Sequence, residues 1–116
     1  MSCKNTMIEV EKLVYNEYLM ASEQHGRTFS SRHEGESVIR EEIEETGEGI
    51  FEIRMAHQNF WNRIRRDVSA KLASEDIADL YHAAVETATE AIQVAAMAMK
   101  MLATLEKEKE DEDGKD

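Results

Sequence analysis

Proline is absent from this chain of 116 residues, and cysteine occurs once, at Cys3. Without proline, no position inside a helix lacks its backbone donor or forces a kink. A single cysteine excludes an internal disulfide and fits a reducing cytoplasm. Aromatic residues make up only 6% of the chain, which argues against a sheet-rich fold. Long apolar runs are also missing. The most apolar stretch, 91–105, is shorter than the ~20 residues a bilayer span needs and holds Gln93 and Lys100. The opening Met1-Ser2-Cys3-Lys4-Asn5-Thr6 starts no apolar run of the kind that marks a secretory signal. No glycine-rich phosphate loop, nucleophile elbow or zinc-ligand spacing is present. Positive charge is scarce: 14 Lys and Arg face 25 Asp and Glu, a net charge of −11. That sign disfavours nucleic acid backbones and anionic membranes as partners.

What remains is a helix former's composition. Apolar residues are 41% and charged residues 34%, with Ala, Glu, Met, Leu and Lys prominent. The length suits one domain, read here as residues 1–105, followed by a tail. Apolar positions step by three and four over three segments, which predicts three helices. The first spans about 6–24, with Ile8, Leu13 and Leu19 on its stripe and Gly26 placed to end it. A polar loop, 25–34, follows, with Phe29 as its one large apolar anchor. The second helix is read as one continuous element from Gly35 to Leu72, interrupted locally by Gly47 and Gly49. A bend there, or the close approach of another backbone, would explain two glycines inside a helix. Its stripe includes Ile43, Ile50, His57 and Ile64, and His57 reads as a hydrogen-bonded core histidine. The third helix is expected to start after Ser74 as N-cap. It carries a main apolar stripe through Ile77, Tyr81, Ala84, Ala88 and Ala91, and a second strip through Ala83, Thr87, Val94 and Met97. A helix apolar on two sides is buried on two sides, so an all-α bundle completed by oligomerisation is expected. The tail, 106–116, has no apolar residue and is expected to fray into disorder.

Two acidic half-motifs stand out on this helical frame. Glu41-Glu42-Ile43-Glu44-Glu45 contains E-E-x-x-E, and Glu90-Ala91-Ile92-Gln93 reads E-x-x-Q. Residues three apart share a helix face, so Glu42 pairs with Glu45 and Glu90 with Gln93. If the two helices pack side by side, three carboxylates and an amide converge. Such oxygen donors suit a hard cation whose remaining positions go to water and phosphate. Solvated surface acids are the plain alternative. Glu86, one turn before Glu90, borders the same strip and offers a further carboxylate.

An acidic pair on one helix and an E-x-x-D on a later one resembles the all-α nucleotide pyrophosphohydrolases, MazG and the all-α dUTPases among them. The stretches 29–35, 38–45 and 90–98 carry the likeness, which is to a small phage-type MazG-like protein. The resemblance implies a helical bundle of three main helices that assembles as a homodimer or tetramer. It implies Mg²⁺, or Mn²⁺, held by Glu42, Glu45, Glu90 and position 93, with Glu41, Glu42 and Glu45 as the catalytic acids. It further implies cleavage of a nucleoside triphosphate to monophosphate and pyrophosphate, in a host cytoplasm if the chain is phage-encoded. The chain departs from the pattern at Gln93, where active members carry aspartate. That departure keeps a second reading open: a catalytically inactive helical binding or assembly protein on the same fold.

Four further side chains are substrate-binding candidates. His33 beside Glu34 precedes the acidic helix. Arg40 and Lys100 have the charge to meet phosphates, against a default of snorkelling surface cations. Trp61 offers a base-stacking plane, against the commoner reading of a core or oligomer contact beside Phe60 and Ile64. Arg63, Arg65 and Arg66 form a small basic patch in an otherwise acidic chain.

Overall fold

The computed structural model describes residues 3–114 and contains three α-helices in that range, with no strand among the described residues. The helices are α1, Cys3–His25; α2, Arg32–Arg65; and α3, Ala70–Asp113. The first two residues and the last two of the expected tail lie outside the described range. The expected all-α architecture with three main helices is what the structure shows.

Each boundary has a local cause. Gly26 adopts φ 88 and its N–H donates to the Ser22 carbonyl at 2.9 Å, closing α1 with a left-handed cap. At the start of α2 the Ser31 hydroxyl accepts the Glu34 N–H at 3.1 Å, as an N-cap does. This Ser31-x-x-Glu34 cap starts the helix at Arg32 rather than at Gly35. α2 runs unbroken through Gly47 and Gly49.

The second helix ends seven residues earlier than its apolar pattern suggests. The Val68 N–H reaches back to the Arg63 carbonyl at 3.3 Å and the Asp67 N–H to the Ile64 carbonyl at 3.2 Å. Those two bonds are a Schellman stop, with Asp67 at φ 54 where glycine is usual. Ser69 rather than Ser74 then caps α3, its hydroxyl accepting the Leu72 N–H at 3.4 Å. The stripe across 65–72 had hidden this turn because Ile64, Val68 and Leu72 keep a helical spacing through it.

α3 also corrects the expected disorder of the tail, since it remains helical to Asp113. Arg32 donates through Nε to Glu108 at 3.0 Å, and Lys109 lies 3.8 Å from Glu106 one turn away. These pairs supply contacts that composition alone does not reveal.

The chain divides into two compact units, 1–42 with 92–116, and 43–91. In the first, Phe29 and Ala96 are buried, and the Phe29 N–H donates to Thr104 Oγ1 at 2.9 Å. The expected anchoring of the loop by Phe29 is therefore present. Lys100 is buried as well, its ammonium 4.7 Å from the Phe29 ring centroid, within cation–π range. The second unit is a helical hairpin made from the C-terminal half of α2 and the N-terminal half of α3. Its buried residues are Ala56, Ala83 and Asp76. Arg63 Nε donates to Asp76 Oδ2 at 2.8 Å, and Gly49 lies against Thr87. Moving forward along α2 thus means moving backward along α3, so the two segments are antiparallel.

Candidate metal centre

Glu42 and Glu45 lie one turn apart on α2, and Glu90 lies on α3. Each offers a carboxylate oxygen, and the three oxygens lie within 4.8 Å of one another. Glu42 and Glu90 are half-buried and Glu45 is exposed. The convergence follows from helix geometry. On α3 the strip through Ala83, Thr87 and Glu90 faces α2, and on α2 the strip through Glu45, Gly49 and Ala56 faces α3. An added Cβ at Gly49 would overlap Thr87 Oγ1 and lie 3.1 Å from Thr87 Cβ. The helices therefore nearly touch about one turn from Glu45 and one turn from Glu90.

The other residues read as site members fall elsewhere. Gln93 donates from Nε2 to Glu17 Oε2 at 2.8 Å, in a partly buried setting within the first unit. Glu17 carries no distinguishing signal in the sequence, being one of several acids along α1, and only the structure shows it half-buried. Glu86 is exposed and is not one of the three converging acids. Glu41, beside Glu42 on the helix, is exposed. His33 is exposed, and Arg40 pairs with Glu36, its Nε donating to Glu36 Oε1 at 3.1 Å. Lys100 points its charge at the Phe29 ring. Trp61 is about half exposed, and His57, expected in the core, is exposed. His57 lies on the flank of α2 turned away from the Gly49–Thr87 contact, so the hairpin leaves it uncovered.

Electrostatic perturbation concentrates at the start of α2. The Ser30 hydroxyl bonded to Glu34 holds that carboxyl below its ordinary value, helped by the Lys100 charge. The Arg40 guanidinium does the same for Glu36. Glu108 bonded to Arg32 raises the guanidinium pKa further. Of these exposed pairs only Arg32–Glu108 ties α2 to the end of α3; the Ser30–Glu34 and Glu36–Arg40 pairs are local to the start of α2.

The three-carboxylate set is all hard oxygen, which is the donor chemistry of Mg²⁺ and Mn²⁺ rather than of zinc. With three acid ligands an octahedral ion keeps about three positions for water or phosphate oxygens. Among the described residues no helix is long and apolar enough to cross a membrane. Set against known proteins, the chain matches no family model, no curated protein and no solved structure.

Proposed function

We propose that this protein is a nucleotide pyrophosphohydrolase-like protein that uses Mg²⁺ or Mn²⁺ and works as a homodimer or tetramer in the cytoplasm. One observation carries the reading: the oxygens of Glu42, Glu45 and Glu90 gather within 4.8 Å. These residues would hold the ion, which supplies charge neutralisation for phosphate oxygens and an acidified water. The acids of E-E-x-x-E do the remaining work. Glu45, the exposed member of the set, would be the one nearest an incoming nucleoside triphosphate. Glu41, next to Glu42 but outside the three-acid set, is kept as a catalytic acid by the resemblance alone. The products would be a nucleoside monophosphate and pyrophosphate.

A second reading has its own observation. Gln93, at the place of the family aspartate, is tied to Glu17. An amide engaged in that way brings no charge to the site and cannot act as a base. A helical binding or assembly protein that keeps the fold without the chemistry fits this.

The deciding experiment measures pyrophosphate release from a panel of nucleoside triphosphates with Mg²⁺ or Mn²⁺, beside direct Mn²⁺ titration. Metal-dependent release lost in Glu45→Gln and Glu90→Gln supports the enzyme. Mn²⁺ binding without release supports the binding protein. Neither binding nor release, for wild type and Gln93→Asp alike, leaves the three acids as solvated surface charges.

A further inference from the structure

Basic side chains gather at the turn end of the 43–91 hairpin. A pocket of about 230 Å³ opens there, lined by Asn59, Asn62, Arg63, Arg66 and Val68. No acid is among these lining residues. Other pockets of the same hairpin are acidic instead, lined by Glu44, Glu48 and Glu52, or by Glu52 and Asp79. In a chain with 25 acids against 14 Lys and Arg, a pocket without an acid goes against the composition.

The polar groups of the pocket are left as donors. Arg63 spends Nε on Asp76 Oδ2, and its terminal nitrogens have no partner among the described residues. Asp76, buried on α3, fixes that guanidinium in place. Arg65 Nη2 donates to Asn62 Oδ1 at 3.0 Å, and Gln58 Nε2 meets the same oxygen at 3.4 Å. A guanidinium can only donate, so the carbonyl of Asn62 is the group that faces Arg65. Its two amide N–H donors are left unspent. Asn59 and Arg66 have no side-chain hydrogen bond or ion pair among the described residues. Bare carbonyls at a helix C-terminus repel an anion. Here the carbonyls of Asn62, Arg63 and Ile64 already accept the N–H groups of Arg66, Val68 and Asp67.

We propose that this pocket binds a small phosphate anion, inorganic phosphate or pyrophosphate. Two guanidinium groups supply charge and paired N–H donors, the geometry that matches phosphate oxygens. The amides of Asn59 and Asn62 add neutral donors. Size sets the upper limit, because about 230 Å³ lies below the ~300–1,000 Å³ of pockets that enclose drug-sized ligands. A whole nucleotide is therefore not enclosed. Arg63 and Arg66 bind the anion, and Asp76 is a positioning residue for Arg63. An anion shared by those two arginines pins the turn after α2 to the helix itself. Glu45 and Arg63 lie about 27 Å apart along α2 at 1.5 Å per residue. The pocket is thus separate from the three-acid set and stands whether or not those acids hold a metal.

Titration of inorganic phosphate and of pyrophosphate into the full chain tests this, in metal-free buffer at constant ionic strength. Nitrogen-15 NMR locates the anion and thermal melts follow its binding. The expected result is a saturable shift, at millimolar anion, of the side-chain N–H signals of Asn59, Asn62, Arg63 and Arg66, with a rise in Tm. Arg66→Gln should weaken binding roughly 10-fold or more through loss of a charge-assisted pair, while the Tm without anion is unchanged. Arg54→Gln removes the same charge from α2 about 18 Å away, beyond the ~10 Å screening length at 0.1 M salt, and should leave the affinity as it was. Arg63→Gln strands buried Asp76 and can unfold the hairpin, so Arg66→Gln, at an exposed position, carries the decision. No saturable response to either anion overturns the proposal. So do equal losses in Arg66→Gln and Arg54→Gln, which mean diffuse charge, and shifts confined to the start of α2 around Arg32 and Arg40.

Discussion

Gly49 and Thr87 are in direct contact, with no room for a Cβ at Gly49 without overlap with the threonine hydroxyl. That hydroxyl is itself fixed, donating to the Ala83 carbonyl at 2.7 Å. The pair sets how closely α2 and α3 pass beside Glu45 and Glu90. Gly47, two residues earlier, has nothing within 4 Å of where its Cβ would be. The two glycines should therefore respond oppositely to alanine. Gly47→Ala gains roughly 0.5–1 kcal/mol from helix propensity alone. Gly49→Ala meets overpacking of about 1–3 kcal/mol that outweighs the same gain. Urea denaturation of the two variants checks the signs. A double variant Gly49→Ala with Thr87→Gly should show favourable coupling, because only ordinary contact with the Thr87 Cα, at 3.4 Å, would remain.

Gln93 and Glu17 give a pH test. The amide donates to the carboxylate at 2.8 Å, so Gln93→Asp replaces a donor with a second acid. The shorter aspartate lies somewhat farther from Glu17 than the amide does, but two carboxylates facing each other in a partly buried setting do not both stay ionised without cost. The variant should lose about 1–2 kcal/mol at pH 7.5 and regain much of it near pH 4, where one acid is protonated. Thermal melts across that range read the difference. If Glu90 and position 93 act together on a cation, millimolar Mn²⁺ should offset the loss at pH 7.5 by binding the folded state. The offset should fade in acid as the ligands protonate.

Thr104 accepts the buried Phe29 N–H at 2.9 Å. Thr104→Val keeps the shape and removes the acceptor, which leaves that donor unpaired in the interior. The expected cost is about 1–3 kcal/mol. Thr104→Ser keeps the oxygen and should recover most of it. Hydrogen exchange at the Phe29 amide should accelerate in the valine variant and stay slow in the serine one.

Glu34 tests the electrostatics at the start of α2. Its folded pKa lies below the ordinary 4.5 because Ser30 donates to it. A depressed carboxyl contributes stability above its unfolded pKa and loses it as pH falls through the folded value. Ser30→Ala should bring the Glu34 titration, followed by NMR, back up toward 4.5. Being exposed, the pair should move overall stability only slightly.

Metal should act on the three-acid set in a pH-dependent way. Mg²⁺ or Mn²⁺ at millimolar concentration is expected to raise Tm at pH 7.5, with the rise lost in Glu45→Gln and Glu90→Gln and reduced toward pH 5. Calorimetric melts with and without the ion, for all three chains, measure it. A Tm indifferent to both ions counts against the metal centre.

The sequence by itself determined the helices, because their signals are local. Absent proline, stepped apolar positions, Gly26 as a stop and Phe29 in a polar loop each act within a few residues of chain. It also placed Glu42 beside Glu45, since a three-residue step fixes a shared face. Only the tertiary structure decided where α2 stops, because Asp67 takes a left-handed conformation inside a stretch that keeps helical spacing. Only packing decided which of the two apolar strips of α3 meets α2. Sequence hydrophobicity favoured the strip of Ile77, Tyr81, Ala84 and Ala88. The structure instead turns Ala83, Thr87 and Glu90 inward, where Thr87 fits the gap at Gly49 and Asp76 finds Arg63. That choice brought Glu90 to Glu45, left the larger apolar strip uncovered, and could not be read from one helix alone because it depends on the shape of its neighbour.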